Sequence, residues 1–218
     1  FAREPPARPL AETLRAERPE RVRPPGRRAA YSNWGAALAG HLAARVAGSE
    51  WHDYAEAHLL EPLGMSRTTT RQPAPEALPD ALAKGYRLRG GRLESAGFEY
   101  VPLAPAGSVS ATGADMARFM RAWLNDGVLD GARIVSAATM ARMRERAFAH
   151  HPELPGMMLG PYQMDRGGIP AYGHGGDTLA FHARMMIFPE QGLGVFVAFN
   201  SDTGAQARTA VLDAFVEI

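Results

Sequence analysis

HARMMIFPEQGLGVFVAFN, residues 182–200, is the stretch that decides the fold. Two short apolar runs, His182 to Phe188 and Leu193 to Asn200, flank Pro189-Glu190-Gln191-Gly192, a segment whose residues favour a turn. The reading is an antiparallel strand pair. Downstream, Gly204 to Val216 places Ala207, Val211, Ala214 and Phe215 on one helical face, which predicts a closing helix. Upstream, Ser136 caps a short helix bearing Met140 and Met143, residues that read as core filler. Thr112 with Asp115 predicts a capping box on a helix carrying Met116, Phe119, Met120 and Trp123 inward.

Further toward the N-terminus, Tyr86 to Arg89 and Arg92 to Glu94 flank Gly90-Gly91, a hairpin pattern. A helix over about 50–61 stops at Pro62 and Gly64. Before it, Trp34, Leu38, Leu42 and Val46 repeat at helical spacing, with Ser32 or Asn33 able to cap the start and Gly48 the end. Helices clustered early, then a strand hairpin and a closing helix, give an α+β class: an antiparallel sheet flanked by helices. Residues 1–30 read as a Pro- and Arg-rich lead-in that wraps a body spanning 31–218, with one short helix around Leu10 to Glu17.

Composition narrows the function. The 218 residues carry a formal net charge of +1, which offers no electrostatic case for nucleic acid as a partner. No run of about 18 apolar residues exists to span a bilayer. Cysteine is absent, which excludes disulfides, thiolate catalysis and thiolate-bound metal. His52, Glu56 and His58 invite a metal reading, but the two histidines are six positions apart and point to different helix faces. His150-His151 lies in a loop, so no metal and no cofactor is expected. The chain starts at Phe1 with no charged-then-apolar leader, and reads as cut from a longer precursor.

Three ordered segments carry chemistry. Pro24-Pro25-Gly26 precedes Tyr31-Ser32-Asn33, with Glu61-Pro62-Leu63-Gly64-Met65 beyond it. Pro105-Ala106-Gly107-Ser108-Val109-Ser110 leads into Asp115 to Phe119. Gly173-His174-Gly175-Gly176 is followed by Phe181. Together they resemble the serine β-lactamase-like family of class C β-lactamases, D,D-peptidases and related esterases. The resemblance covers only the later part of that family's domain.

Acyl transfer in the family, as the resemblance implies, uses a serine activated by a lysine one helical turn on, a spacing that puts both side chains on one face. Lys84 is the only lysine here and Ala81 stands three residues before it, so the motif is missing and belongs upstream of Phe1. Ser108 and Ser110 lack a partner base at helical spacing, so neither replaces it. By the resemblance, Tyr31 and His174 are the catalytic residues, with His174 where other members carry lysine. Asn33 would offer its amide to a substrate carbonyl. Gly175 and Gly176 would let substrate backbone approach, and the N–H of Asp177 would form half of an oxyanion hole. Ala180 stands where members often have glycine.

The expected function is therefore part of a serine hydrolase working through an acyl-enzyme on esters, peptides or β-lactams, inert without the upstream segment. The alternative is a catalytically silent module that binds cell wall or protein partners. The expected partners are a small-molecule or peptide substrate and the upstream segment, and the expected location is periplasmic or extracellular, by family analogy.

Overall fold

The computed structural model describes residues 1–2, 4–78 and 82–217. The lead-in is mostly exposed but fastened at two places. Ala2 and Tyr100 exchange backbone hydrogen bonds of 2.9 and 3.0 Å. Helix α1 (Leu10–Ala16) buries Thr13 and Leu14, and the indole N–H of Trp34 donates to the Leu14 carbonyl at 2.9 Å. Trp34 belongs to α2 (Asn33–Val46). Ser32 is its cap, the hydroxyl accepting from Gly35 N–H at 3.0 Å and so satisfying one orphan donor of the first turn. Gly48 ends the helix at φ +72°, a conformation glycine adopts without strain.

The large residues at helical spacing on α2 are not the ones it buries. Ala37 and Ala44 are buried, whereas Leu42 and Val46 stand 54% and 90% exposed. The cause is the tight turn Ala104–Ala106, which lies against the helix so closely that a Cβ on Gly40 would come within 2.6 Å of Pro105. So close an approach admits only small residues, and it rotates the larger ones toward solvent.

Helix α3 (Trp51–Ala55) continues as one wide π-type turn over Glu56–Leu60, and the chain then breaks at Gly64 with φ +60°. Strands β1 (Gly85–Arg89) and β2 (Arg92–Gly97) form the expected hairpin around Gly90-Gly91. Helix α4 (Gly113–Leu124) is capped by Thr112, which accepts from Asp115 N–H at 3.2 Å. Only that half of the capping box forms. The Asp115 carboxylate turns away to accept from Arg67 N–H (2.9 Å) and the Thr68 hydroxyl (2.7 Å). Short strands β3 (Val128–Leu129) and β4 (Ala132–Arg133) precede α5 (Ala137–Arg144), which Ser136 caps as expected.

The main sheet is antiparallel in the order β5 (Tyr162–Gln163), β6 (Tyr172–Asp177), β7 (His182–Phe188), β8 (Leu193–Phe199). Pleating divides β7 between two layers. Ile187 and Met185 join Met120, Trp123 and Met140 of α4 and α5. Met186 and Phe188 pack on the other side with Leu212 of α6 (Gly204–Val216). The helix buries Gly204, Arg208 and Leu212, while the apolar row Ala207, Val211, Ala214 and Phe215 is exposed. An arginine faces the sheet because ion pairing and backbone carbonyls receive it, a gain that apolar periodicity does not register.

Candidate active site

Tyr31 sits one residue before the cap of α2, and His174 lies in the middle of β6. Their rings stand 5.8 Å apart, centroid to centroid. The Tyr162 ring of β5 meets the same imidazole in a T-shaped contact at 5.2 Å, centroid to centroid. Its hydroxyl accepts a hydrogen bond from Gly175 N–H at 3.2 Å. Tyr31, Tyr162 and His174 thus form one three-ring cluster at the edge of the sheet. Asn33, the first residue of α2, follows the Ser32 cap with its side chain exposed.

Partial burial sets the charge states. It pushes the Tyr31 phenol above its usual range, with the Tyr162 phenol adding to the shift. It pulls His174 below the usual histidine range, against a hydrogen bond involving Gly175 that favours the charged form and with Arg184 opposing that form. At neutral pH the pair is therefore an uncharged phenol and an uncharged imidazole, and neither is a strong base.

The two glycines differ. A Cβ on Gly175 would meet the Arg184 guanidinium at 3.1 Å on the rear of the sheet, whereas one on Gly176 would meet nothing within 4 Å. Open space therefore lies only over Gly176. Asp177 directs its carboxylate to the rear, accepting from Arg208 at 2.8 Å and pairing with His182 Nδ1 at 2.6 Å. Burial alone would raise this carboxyl, but those two partners hold it below the usual carboxylate range. Alternation along β6 turns the Asp177 N–H to the same edge as that of Gly175.

The remaining candidates have structural places. Ser108 is 1% exposed and donates to the Thr70 carbonyl at 2.6 Å. His52 shares a hydrogen bond with the Thr70 hydroxyl at 2.9 Å, and His58 stacks on Tyr54 at 4.6 Å. Ala180 is fully buried, its methyl filling the space where a Cβ on Gly85 would approach to 2.8 Å, so it packs the interior. Sequence reasoning missed Tyr162, Arg184 and Arg208. A two-residue strand carries no period, and Leu159-Gly160-Pro161 just before Tyr162 reads as loop. The available signal was Tyr162 itself, an aromatic within a polar, glycine-rich stretch.

With fold and site in view, the class is clear: an α+β body of the β-lactamase and penicillin-binding type. The chain belongs to the beta-lactamase family, a serine hydrolase family whose sequence model matches residues 2–216. It is 29% identical over 212 residues to penicillin-binding protein 4 of Amycolatopsis lactamdurans, covering 89% of this chain and 52% of that protein. It is 32% identical over 111 residues to beta-lactamase-like protein 2 of Dictyostelium discoideum, covering 49% of this chain and 20% of that one. Among solved structures, the octameric penicillin-binding protein homologue from Pyrococcus abyssi superposes with a TM-score of 0.77 at 26% identity, over 93% of this chain and 47% of the other. A class C beta-lactamase superposes at 0.75 with 19% identity, over 92% of this chain and 61% of the other, a likeness of fold. The chain spans about half the length, or less, of the curated relatives it matches.

Proposed function

We propose that these residues form the later portion of a serine hydrolase that works through an acyl-enzyme on esters, peptides or β-lactams, its Ser-x-x-Lys segment lying outside the 218 residues. The observation that carries this reading is the 5.8 Å approach of Tyr31 to His174, two residues far apart in sequence. In this reading the missing lysine supplies what the pair lacks. An ammonium beside Tyr31 offsets the burial that keeps its phenol protonated, and lets it relay the proton of the nucleophile. His174 stands beside Tyr31 as a neutral imidazole. Its weak positive field favours esters and peptides over substrates held by a carboxylate. The Asp177 N–H faces the carbonyl oxygen, Asn33 offers an amide from the start of α2, and the open space over Gly176 takes substrate backbone.

Magnitude supports inertness of the 218 residues alone. Loss of a serine nucleophile costs about 10⁶-fold in turnover, and loss of an oxyanion donor about 10²–10³. The competing reading, a silent module binding cell wall or protein partners, rests on Lys84. This lone lysine precedes β1, and its backbone carbonyl accepts from the Asn200 side chain at 2.9 Å. A fluorophosphonate probe and a fluorescent penicillin decide between them. Labelling of the protein with its upstream segment, and none of the 218 residues, supports the hydrolase. No labelling of either form makes it a silent module. A periplasmic or extracellular location follows by analogy with bacterial relatives, and fractionation of a producing cell tests it.

A further inference from the structure

Tyr162 is joined to β6 in three ways. Its backbone pairs with Gly173, its hydroxyl accepts from Gly175 N–H at 3.2 Å, and its ring makes a T-shaped contact with His174 at 5.2 Å. Pairing with β5 reaches only Tyr172 and Gly173, so beyond that point the edge of β6 would be open. The alternation of a strand turns every second N–H to that edge: Gly173, Gly175, Asp177. The first is taken by the β5 backbone and the second by the phenol. Among the described residues, only the third is left.

We propose that Tyr162 is a positioning residue of this site: its hydroxyl takes Gly175 N–H out of play and its ring holds the His174 imidazole, so that Asp177 N–H is the first backbone donor a substrate carbonyl meets. This rests on the hydrolase reading above for its meaning, but not for its test. A carbonyl oxygen entering over Gly176 has one strand donor and not two, which fixes where it stops along the strand. The imidazole is meanwhile kept from turning by the Tyr162 ring on one side and the Tyr31 ring on another. The titratable groups facing it are Tyr31, from the residue before the α2 cap, and Tyr162 of β5, while the Arg184 charge of β7 acts on it from the rear of the sheet.

The test uses the folded protein, Tyr162→Phe and Tyr162→Leu, with no activity measurement, so it fails or succeeds independently of the labelling experiment. Amide hydrogen exchange by NMR should show Gly175 protected relative to Asp177. Tyr162→Phe, which removes only the hydroxyl, should speed exchange at Gly175 by roughly fivefold, the scale of one net hydrogen bond, with an unchanged melting temperature and an unchanged titration midpoint for His174. Tyr162→Leu should speed Gly175 exchange in the same way and also move the His174 midpoint up toward the usual histidine range. Gly175 protection that survives in Tyr162→Phe overturns the proposal, as does a His174 midpoint that moves in that variant. Should the leucine variant fold poorly, the phenylalanine variant alone decides.

Discussion

Tyr31 and His174 show how a residue's surroundings limit what it does. Burial raises the pKa of the phenol, though Tyr31 stands 64% exposed, and lowers that of the imidazole, so both shifts favour the uncharged forms. In the protein bearing a Ser-x-x-Lys segment, Tyr31→Phe is expected to lower kcat by about 10²–10⁴ while KM moves little, because a proton relay acts in the transition state and not in binding. Steady-state kinetics on an ester read this directly, and a loss below about tenfold removes Tyr31 from proton transfer. His174 gives a pH prediction. Its pKa is lower folded than unfolded, so the unfolded chain binds the proton more readily, and stability falls as pH drops through the usual histidine value of about 6.5. Against His174→Gln, the wild type should lose stability between about pH 7 and about pH 5 in denaturant titrations. Equal losses in both proteins would place the imidazole in open solvent.

At the scale of the element, caps and small-residue contacts decide the framework around the site. Ser32→Ala removes the hydroxyl that accepts from Gly35 N–H and should cost about 1 kcal/mol in chemical denaturation. Because Tyr31 adjoins that cap, the same change should loosen its ring from His174, seen as weakened ring-to-ring NOEs. Arg208→Met leaves Asp177 with His182 alone and should destabilise by roughly 1–3 kcal/mol near neutrality. The Asp177 carboxyl is held below its usual value, so its share of stability is present above that value and lost as pH falls through the folded pKa. The gap between wild type and Arg208→Met should therefore narrow in acid, and a gap independent of pH would mean that Arg208 acts through packing alone. The elements were legible in the sequence wherever caps and turns mark them: Ser32, Thr112, Ser136, Gly90-Gly91 and the Pro189 turn each stand where the structure uses them. The facing of α2 and α6 was not. Pro105 turns the large residues of one outward, and ion pairing turns an arginine of the other inward. Both effects come from partners far along the chain. Tyr31, His174 and the glycines were legible as motifs, while Tyr162 reaches them by a fold-level approach that leaves no local pattern.

At the scale of the whole molecule, β8 ends the strand order of the main sheet among the described residues. Met185 to Phe188 lie in β7, which is paired on both sides by β6 and β8. Val195 to Phe199 lie in β8, which among the described residues pairs only with β7 within the sheet. An open strand of this composition is an aggregation hazard. We therefore expect the 218 residues to be monomeric and ordered only when a further segment covers that edge, covalently or as a separate piece. Light scattering and calorimetry check this, and a cooperative melt of the isolated 218-residue chain as a monomer would refute it. The Arg208 guanidinium, which reaches Asp177 and the carbonyls of Gly176 and Ala183 together, has one further consequence. It rivets the closing helix to the bend between two strands, so the three should breathe as a single unit. Whatever loosens the tail of the chain, a truncation or a nearby cut, would be felt at β6 as a shared opening rate before anything else unfolds.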